Sequence, residues 1–284
     1  MQIKDGFVAG GVRPSPYDAR DYRLSKKACA INIPEEYMVE YLPRVKDQKS
    51  VGSCVAHSLS SIVEYNNFVQ EGKKTEMSTG FIYGNIKEGG DRTPGMCPRN
   101  ALQNLQMHGD CTKKDFPENI ERPEAVDLFN EKYEGLKDKA YKYRISNYFR
   151  LYTEEEIKTA IMKYGLVTFS IPWYTEYSLT NDVLKPKSNK VSGHHMVTIY
   201  GWNKNGYLMQ NSWGIFWGRL GRCVLSYDYK ISEAWGVVDN IVNHDDEDIV
   251  TPYKSAIGRF FVKIINLFAN LFAKIMFKLE AKKQ

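Results

Sequence analysis

Four side chains in this sequence have the types and the order that a thiol nucleophile requires. Cys54 lies in Gly52-Ser53-Cys54-Val55-Ala56-His57, and Gln48 stands six positions before it. His195 follows 141 positions after the cysteine, in Gly193-His194-His195-Met196-Val197. Asn211 comes 16 positions later, in Gln210-Asn211-Ser212-Trp213-Gly214. A thiol with a pKa of about 8.5 is mostly protonated at neutral pH, so a nucleophilic cysteine needs help in becoming a thiolate. A helix beginning at Cys54 supplies unsatisfied N–H groups and the positive end of its dipole. His195 can pair with the thiolate as an imidazolium and then protonate a leaving amine. An Asn carbonyl that accepts a ring N–H holds one orientation of the imidazole.

These groups have to be positioned by the elements around them. Val55, Leu59, Ile62, Val63 and Val69 recur on a roughly helical period from Cys54 to about Glu71, with Gly72 as a stop. Pro98 and Gly109 bracket a second helix, and residues 123–143 form a third. Thr153-Glu154-Glu155-Glu156 is a capping box that opens a short helix ending at Gly165. Beyond it the pattern turns to strands at Leu166–Ile171, His195–Trp202, Tyr207–Trp213 and Gly221–Tyr227. Pairing across the turn Asn203-Lys204-Asn205-Gly206 brings His195 and Asn211 toward the open end of one hairpin. A helical first half (about 44–143) and a β second half (about 144–244) predict an α+β fold of two lobes with a cleft between them. Residues 1–43, rich in turn formers, read as an N-terminal strap; residues 245–284 read as an acidic linker and a tail.

Gln48, Cys54, His195 and Asn211, in that order and at those gaps, resemble the papain-like cysteine peptidases. The register His-x-Val-x-x-x-Gly-aromatic fits His195, Val197, Gly201 and Trp202, which favours His195 over His194. The resemblance runs through most of residues 13–243. It includes Ser78-Thr79-Gly80-Phe81-Ile82-Tyr83-Gly84-Asn85, Gly109-Asp110-Cys111 and Leu225-Ser226-Tyr227-Asp228-Tyr229. The run from Arg13 to Tyr22 resembles the opening of bacterial and phage-type members. The resemblance implies hydrolysis of peptide bonds through an acyl-enzyme on Cys54, with no cofactor. It also implies that the Gln48 amide joins the Cys54 backbone N–H in an oxyanion hole, and that Trp213 shields the His–Asn bond from water. Three positions depart from secreted or plant members: Val51 stands where a bridging Cys is common, Val55 where Trp is usual, and His194 where papain has Asp. The strap is too short for the long helical prosegment of the secreted enzymes, and no zymogen brake is evident.

The formal charge of +5 is concentrated in residues 253–284, where seven Lys/Arg face one acid, Glu280, so the body is near neutral. No nucleic-acid partner is expected of such a body; the partner implied is a protein or peptide substrate. Five cysteines without a CxxC pair point to free thiols and a reducing compartment. The start Met1-Gln2-Ile3-Lys4-Asp5-Gly6 lacks an apolar run with a cleavage site, which predicts cytoplasmic residence. Cys54-x-x-His57 has no second Cys/His pair to complete a metal site, and His57 reads as a partly buried helix residue. Cys97 and Cys111 read as structural thiols.

In the tail, Ile257, Phe261, Ile264, Phe268, Leu271, Ile275 and Leu279 recur at steps of three and four, with Arg259, Lys263, Lys274 and Lys278 on much of the other side. This predicts a basic amphipathic helix, placed at a membrane surface or docked on a protein. Two rivals stand beside the peptidase reading. One is a catalytically silent papain-fold binding protein acting through the tail. The other is a cell-wall peptide hydrolase of a smaller Cys-His fold, against which the long Cys–His gap counts.

Overall fold

Turn-forming residues keep the N-terminal strap irregular, and it contributes only short strands: β1 (Gln2–Lys4), β2 (Phe7–Ala9), β3 (Arg23–Leu24) and β4 (Tyr37–Met38). Here and below, the structure is a computed structural model that describes residues 2–4, 7–26, 28–85, 92–239 and 249–250. Four helices follow the strap: α1 (Cys54–Glu71), α2 (Thr79–Gly84), α3 (Pro98–His108) and α4 (Arg122–Ala140). Gly72 takes the left-handed conformation at the end of α1, with φ 65°, which a side chain would disfavour. The third predicted helix ends a turn early because Tyr141–Tyr143 tighten into a 3-10 turn.

The second half is built on strands, with one helix laid on them. In chain order they are β5 (Asn147–Leu151), α5 (Glu154–Tyr164), β6 (Val167–Tyr174), β7 (Tyr177–Thr180), β8 (Val183–Pro186), β9 (Val191–Asn203), β10 (Gly206–Gln210), β11 (Arg222–Ser226), β12 (Glu233–Val238) and β13 (Ile249–Val250). The capping box at the start of α5 forms in both directions, Thr153 to the Glu156 N–H and Glu156 back to the Thr153 N–H. The main sheet runs β5-β12-β6-β9-β10-β11-β8-β7, with β4 also paired to β9. Only β11 and β8 are parallel in it. The sequence reading missed β5, β7, β8 and β12. β12 is buried along its whole length, so no alternation of polar and apolar residues marks it as a strand. This is the α+β, two-lobed architecture.

Helix α1 lies where the lobes meet, and so its polar residues are buried. Ser58 Oγ is 2.6 Å from Thr168 Oγ1 on β6 and 2.9 Å from Thr198 Oγ1 on β9, tying the nucleophile helix to the sheet. Glu64 forms a buried ion pair with Lys46 and accepts the Met77 N–H at 2.8 Å. Ser58 and Glu64 are thereby matched, as burial away from water demands. The tail of residues 253–284 and its predicted helix lie outside the described residues. Among those described, no helix is long and apolar enough to cross a membrane.

Candidate active site

Cys54 is the first residue of α1, and its side chain is fully buried. Ser53, which precedes it, makes no side-chain cap; its carbonyl instead meets His57 Nδ1 at 2.9 Å. The backbone N–H groups of Met196, Val55, Gly11 and Cys54 itself converge on the sulfur and favour a thiolate. Burial outweighs them and pushes the thiol up to about 11. The helix start therefore provides the expected donors, yet in this conformation the thiol is neutral.

His195 comes from β9 and is likewise fully buried. Its Nε2 lies 2.7 Å from Asn211 Oδ1. The Ser212 N–H donates to the same oxygen at 2.8 Å, which fixes the orientation of the Asn211 carboxamide. Two donors on Oδ1 mean that Nε2 carries the proton, so Nδ1 of the neutral ring holds the free lone pair. Nδ1 has no hydrogen-bond partner among the described residues. Burial lowers the imidazole to about 4, against the opposing pull of Asn211. His194 is half-exposed, and its carbonyl accepts from the Gly10 and Val12 N–H groups.

The pairing of β9 with β10 sets the His–Asn contact. Gly206 pairs with Asn203 and Leu208 with Gly201, but Met209 pairs with Ile199, so Tyr200 is bulged out. Trp213, just beyond, lies 4.7 Å from the His195 ring, and Trp173 on β6 lies 5.4 Å from it. The two indoles also contact each other at 4.6 Å and form an apolar wall around the His–Asn pair.

Gln48 is buried beside the helix start. Its Oε1 accepts from the Ser212 hydroxyl at 2.6 Å, which turns the amide nitrogen to the Val51 carbonyl at 2.8 Å. Its own N–H donates to the Ser212 carbonyl at 2.8 Å. Gln48 is thus held from the loop that carries Asn211, and the cysteine side and the histidine side of the cleft share a clasp. Behind them, burial lowers His57 to about 3, so it is a neutral ring and a structural one.

Residues of the strap cross the cleft over Cys54: Gly10 N–H donates to the His194 carbonyl at 3.1 Å, and the Met96 N–H donates to the Gly11 carbonyl at 2.9 Å. Gly11, Met96 and Trp173 are site neighbours that sequence reasoning missed. The Gly10-Gly11 pair was the available signal, since a glycine also marks close backbone approach.

Comparison with known proteins identifies the family. The sequence model of papain family cysteine proteases matches residues 35–240, and the chain belongs to that family. An uncharacterised peptidase C1-like protein of Acanthamoeba polyphaga mimivirus is 26% identical over 233 residues, covering 72% of this chain and 74% of that protein. A cathepsin L-like peptidase of Aedes aegypti is 28% identical, covering 62% of this chain and 53% of that protein. The chain thus spans about half the length of this second relative. Among solved structures, xylellain, a cysteine protease from Xylella fastidiosa, superposes with a TM-score of 0.70 at 21% identity, over 84% of this chain and 100% of xylellain. At that identity the likeness speaks for the fold.

Proposed function

We propose that this chain is a cysteine endopeptidase that hydrolyses protein or peptide substrates through an acyl-enzyme on Cys54. The observation that carries the reading is the His195–Asn211 pair, which commits the Nε2 proton to Asn211 and leaves Nδ1 as the basic atom of the ring. In an opened, hydrated cleft, Nδ1 takes the Cys54 proton and the thiolate attacks the substrate carbonyl. The carbonyl oxygen, now negative, is held by the Cys54 N–H and the Gln48 amide. The imidazolium returns its proton to the leaving amine, releasing the first product and leaving a thioester. Water, deprotonated at Nδ1, then cleaves the thioester and restores the thiol. Asn211 keeps the ring in one tautomer through both halves.

Membership of the papain family and the four matched side chains favour this reading over a silent binding protein. The same family membership counts against a small cell-wall hydrolase. The deciding experiment pairs wild type and Cys54→Ala on a fluorogenic peptide library. Cleavage by wild type and none above background by the variant supports the peptidase. Equal cleavage by both, or labelling of the variant by an epoxide thiol inhibitor, refutes the assignment of Cys54. The basic apolar tail is proposed, from its sequence pattern alone, to place the enzyme at an anionic membrane surface.

A further inference from the structure

Behind the His195–Asn211 pair, α1 and the β9–β10 hairpin border a cavity of about 10 Å³. Its wall is mostly polar and includes Lys46, His57, Ser61, Asn211 and Ser212. Two of these side chains have hydrogen-bonding capacity left. Asn211 spends Oδ1 on His195 and on the Ser212 N–H, while its buried Nδ2 has no partner among the described residues. His57 spends Nδ1 on the Ser53 carbonyl at 2.9 Å. A carbonyl can only accept, so Nδ1 carries the proton and Nε2 of this ring is an acceptor.

A buried donor and a buried acceptor beside one small cavity call for an occupant that both accepts and donates, because an unmatched buried group is costly. The other polar groups narrow its identity. The Lys46 ammonium, paired with Glu64, disfavours a cation. The hydroxyls of Ser61 and Ser212 already donate, to the His57 carbonyl at 3.0 Å and to Gln48 Oε1 at 2.6 Å, so their oxygens offer lone pairs and disfavour an anion. The volume holds the centre of a single water and nothing larger.

Resting on the peptidase reading, we infer that this cavity binds one water joining Asn211 Nδ2 to His57 Nε2, and that His57 is thereby a positioning residue for His195. His57 touches no reacting atom and acts through the carboxamide of Asn211. Rotated by half a turn, that carboxamide would set Nδ2 against the His195 ring and favour the tautomer with its proton on Nδ1, removing the lone pair that the mechanism needs. The Ser212 N–H resists this rotation at Oδ1, and His57 resists it through the water at Nδ2. The nucleophile and its positioning residue thus lie one turn apart on α1.

The test uses full-length wild type, His57→Gln, whose Oε1 keeps an acceptor near the place of Nε2, and His57→Phe, which keeps a ring and loses the acceptor. In His57→Phe, kcat on a fluorogenic peptide should fall roughly tenfold at unchanged KM, a part of the loss expected on removing Asn211 itself. His57→Gln should stay within about threefold of wild type, as rescue by a retained acceptor requires. Nitrogen-15 spectra of the histidine rings, with His195 assigned by means of His195→Gln, report the tautomer whether or not any peptide is cut. The proton should sit on Nε2 alone in wild type and His57→Gln, and on a mixture of both nitrogens in His57→Phe. An unmixed tautomer in His57→Phe, or a kcat equal to that of an active wild type, would overturn the proposal. An equal loss in His57→Gln would overturn it too, since packing alone would then explain both variants. Mixed tautomers in His57→Phe with no hydrolysis by any protein, wild type included, would leave the positioning role standing and refute the peptidase reading. Should His57→Phe fail to fold, wild type decides by itself: a nuclear Overhauser contact between water and the Asn211 Nδ2 protons supports the bridge, and its absence overturns it.

Discussion

Asn211 faces His195 because Tyr200 is bulged out of the hairpin between them. Continued from the turn without a shift, the pairing of Gly206 with Asn203 would set Asn211 across from Thr198, on the opposite face of the sheet from His195. The bulge moves the register by one, so that Gln210, the last paired residue, meets Thr198, and the same register carried one residue further sets Asn211 across from Val197. Residues 195 and 197 share a face, which makes Asn211 and His195 diagonal neighbours. Their 2.7 Å bond follows from that shift.

If this bond orients the ring, Asn211→Ala should lower kcat by roughly 10²-fold, within the range for a misoriented general base, while KM changes little. Asn211→Gln should not rescue it, because the longer side chain overshoots the fixed diagonal. Steady-state kinetics on one peptide checks both; an Asn211→Ala enzyme with wild-type kcat would remove Asn211 from the mechanism.

Gln48→Ala is expected to lower kcat by roughly 10²–10³-fold, the usual effect of losing one oxyanion donor. Alkylation of Cys54 by a small reagent forms no such oxyanion, so its rate should hold. A parallel loss in both assays would mean that the clasp between Gln48 and Ser212 shapes the nucleophile itself.

Two buried imidazoles should make the fold sensitive to mild acid. Burial lowers His57 to about 3 and His195 to about 4, below the unfolded value of about 6.5. A depressed histidine contributes stability that is present above the unfolded value and is lost as pH falls toward the folded one. Each ring adds a slope of about 1.4 kcal/mol per pH unit in that window. His57→Gln should therefore flatten the decline between roughly pH 6 and pH 4.5 by about one proton. Urea midpoints of both proteins at several pH values would show it, and identical slopes would mean that His57 is hydrated.

Lys46→Met should destabilise the fold by about 3–5 kcal/mol, because it strands the buried Glu64 carboxylate. Adding Glu64→Gln should recover a large part of that loss, since the amide oxygen can still accept the Met77 N–H. Chemical denaturation of the single and double variants gives the comparison, and a double variant no better than the single would show that the pair matters through packing.

Truncation after Asp248 should leave hydrolysis of a small peptide within about a few-fold of wild type, the limit set by loss of uniform binding alone. It should also abolish sedimentation with anionic liposomes, where each basic residue near the surface contributes about 1 kcal/mol. Unchanged liposome binding would dispose of the membrane placement.

Local chemistry carried much of this protein into view before any folding. The helix punctuation by Gly72, Pro98, Gly109 and Gly165 and the Thr153–Glu156 capping box are properties of neighbouring residues and can be read from them, whereas the widely spaced Cys54, His195 and Asn211 were legible through their order and gaps, which resemble those of a known family. Strands β5, β7, β8 and β12 were not legible, because full burial or short length erases the alternation that marks a strand. Register across the β9–β10 bulge was not legible either: whether Tyr200 bulges depends on what packs on both faces of the sheet. The same holds for the state of the thiol. Composition and helix position argue for a thiolate at Cys54, whereas folding lays Gly11, 43 residues away in sequence, on the sulfur and excludes water from it. Burial is a property of the assembled surface, and desolvation there exceeds what four N–H donors return, so the charge of the thiol in this conformation was decided by tertiary structure.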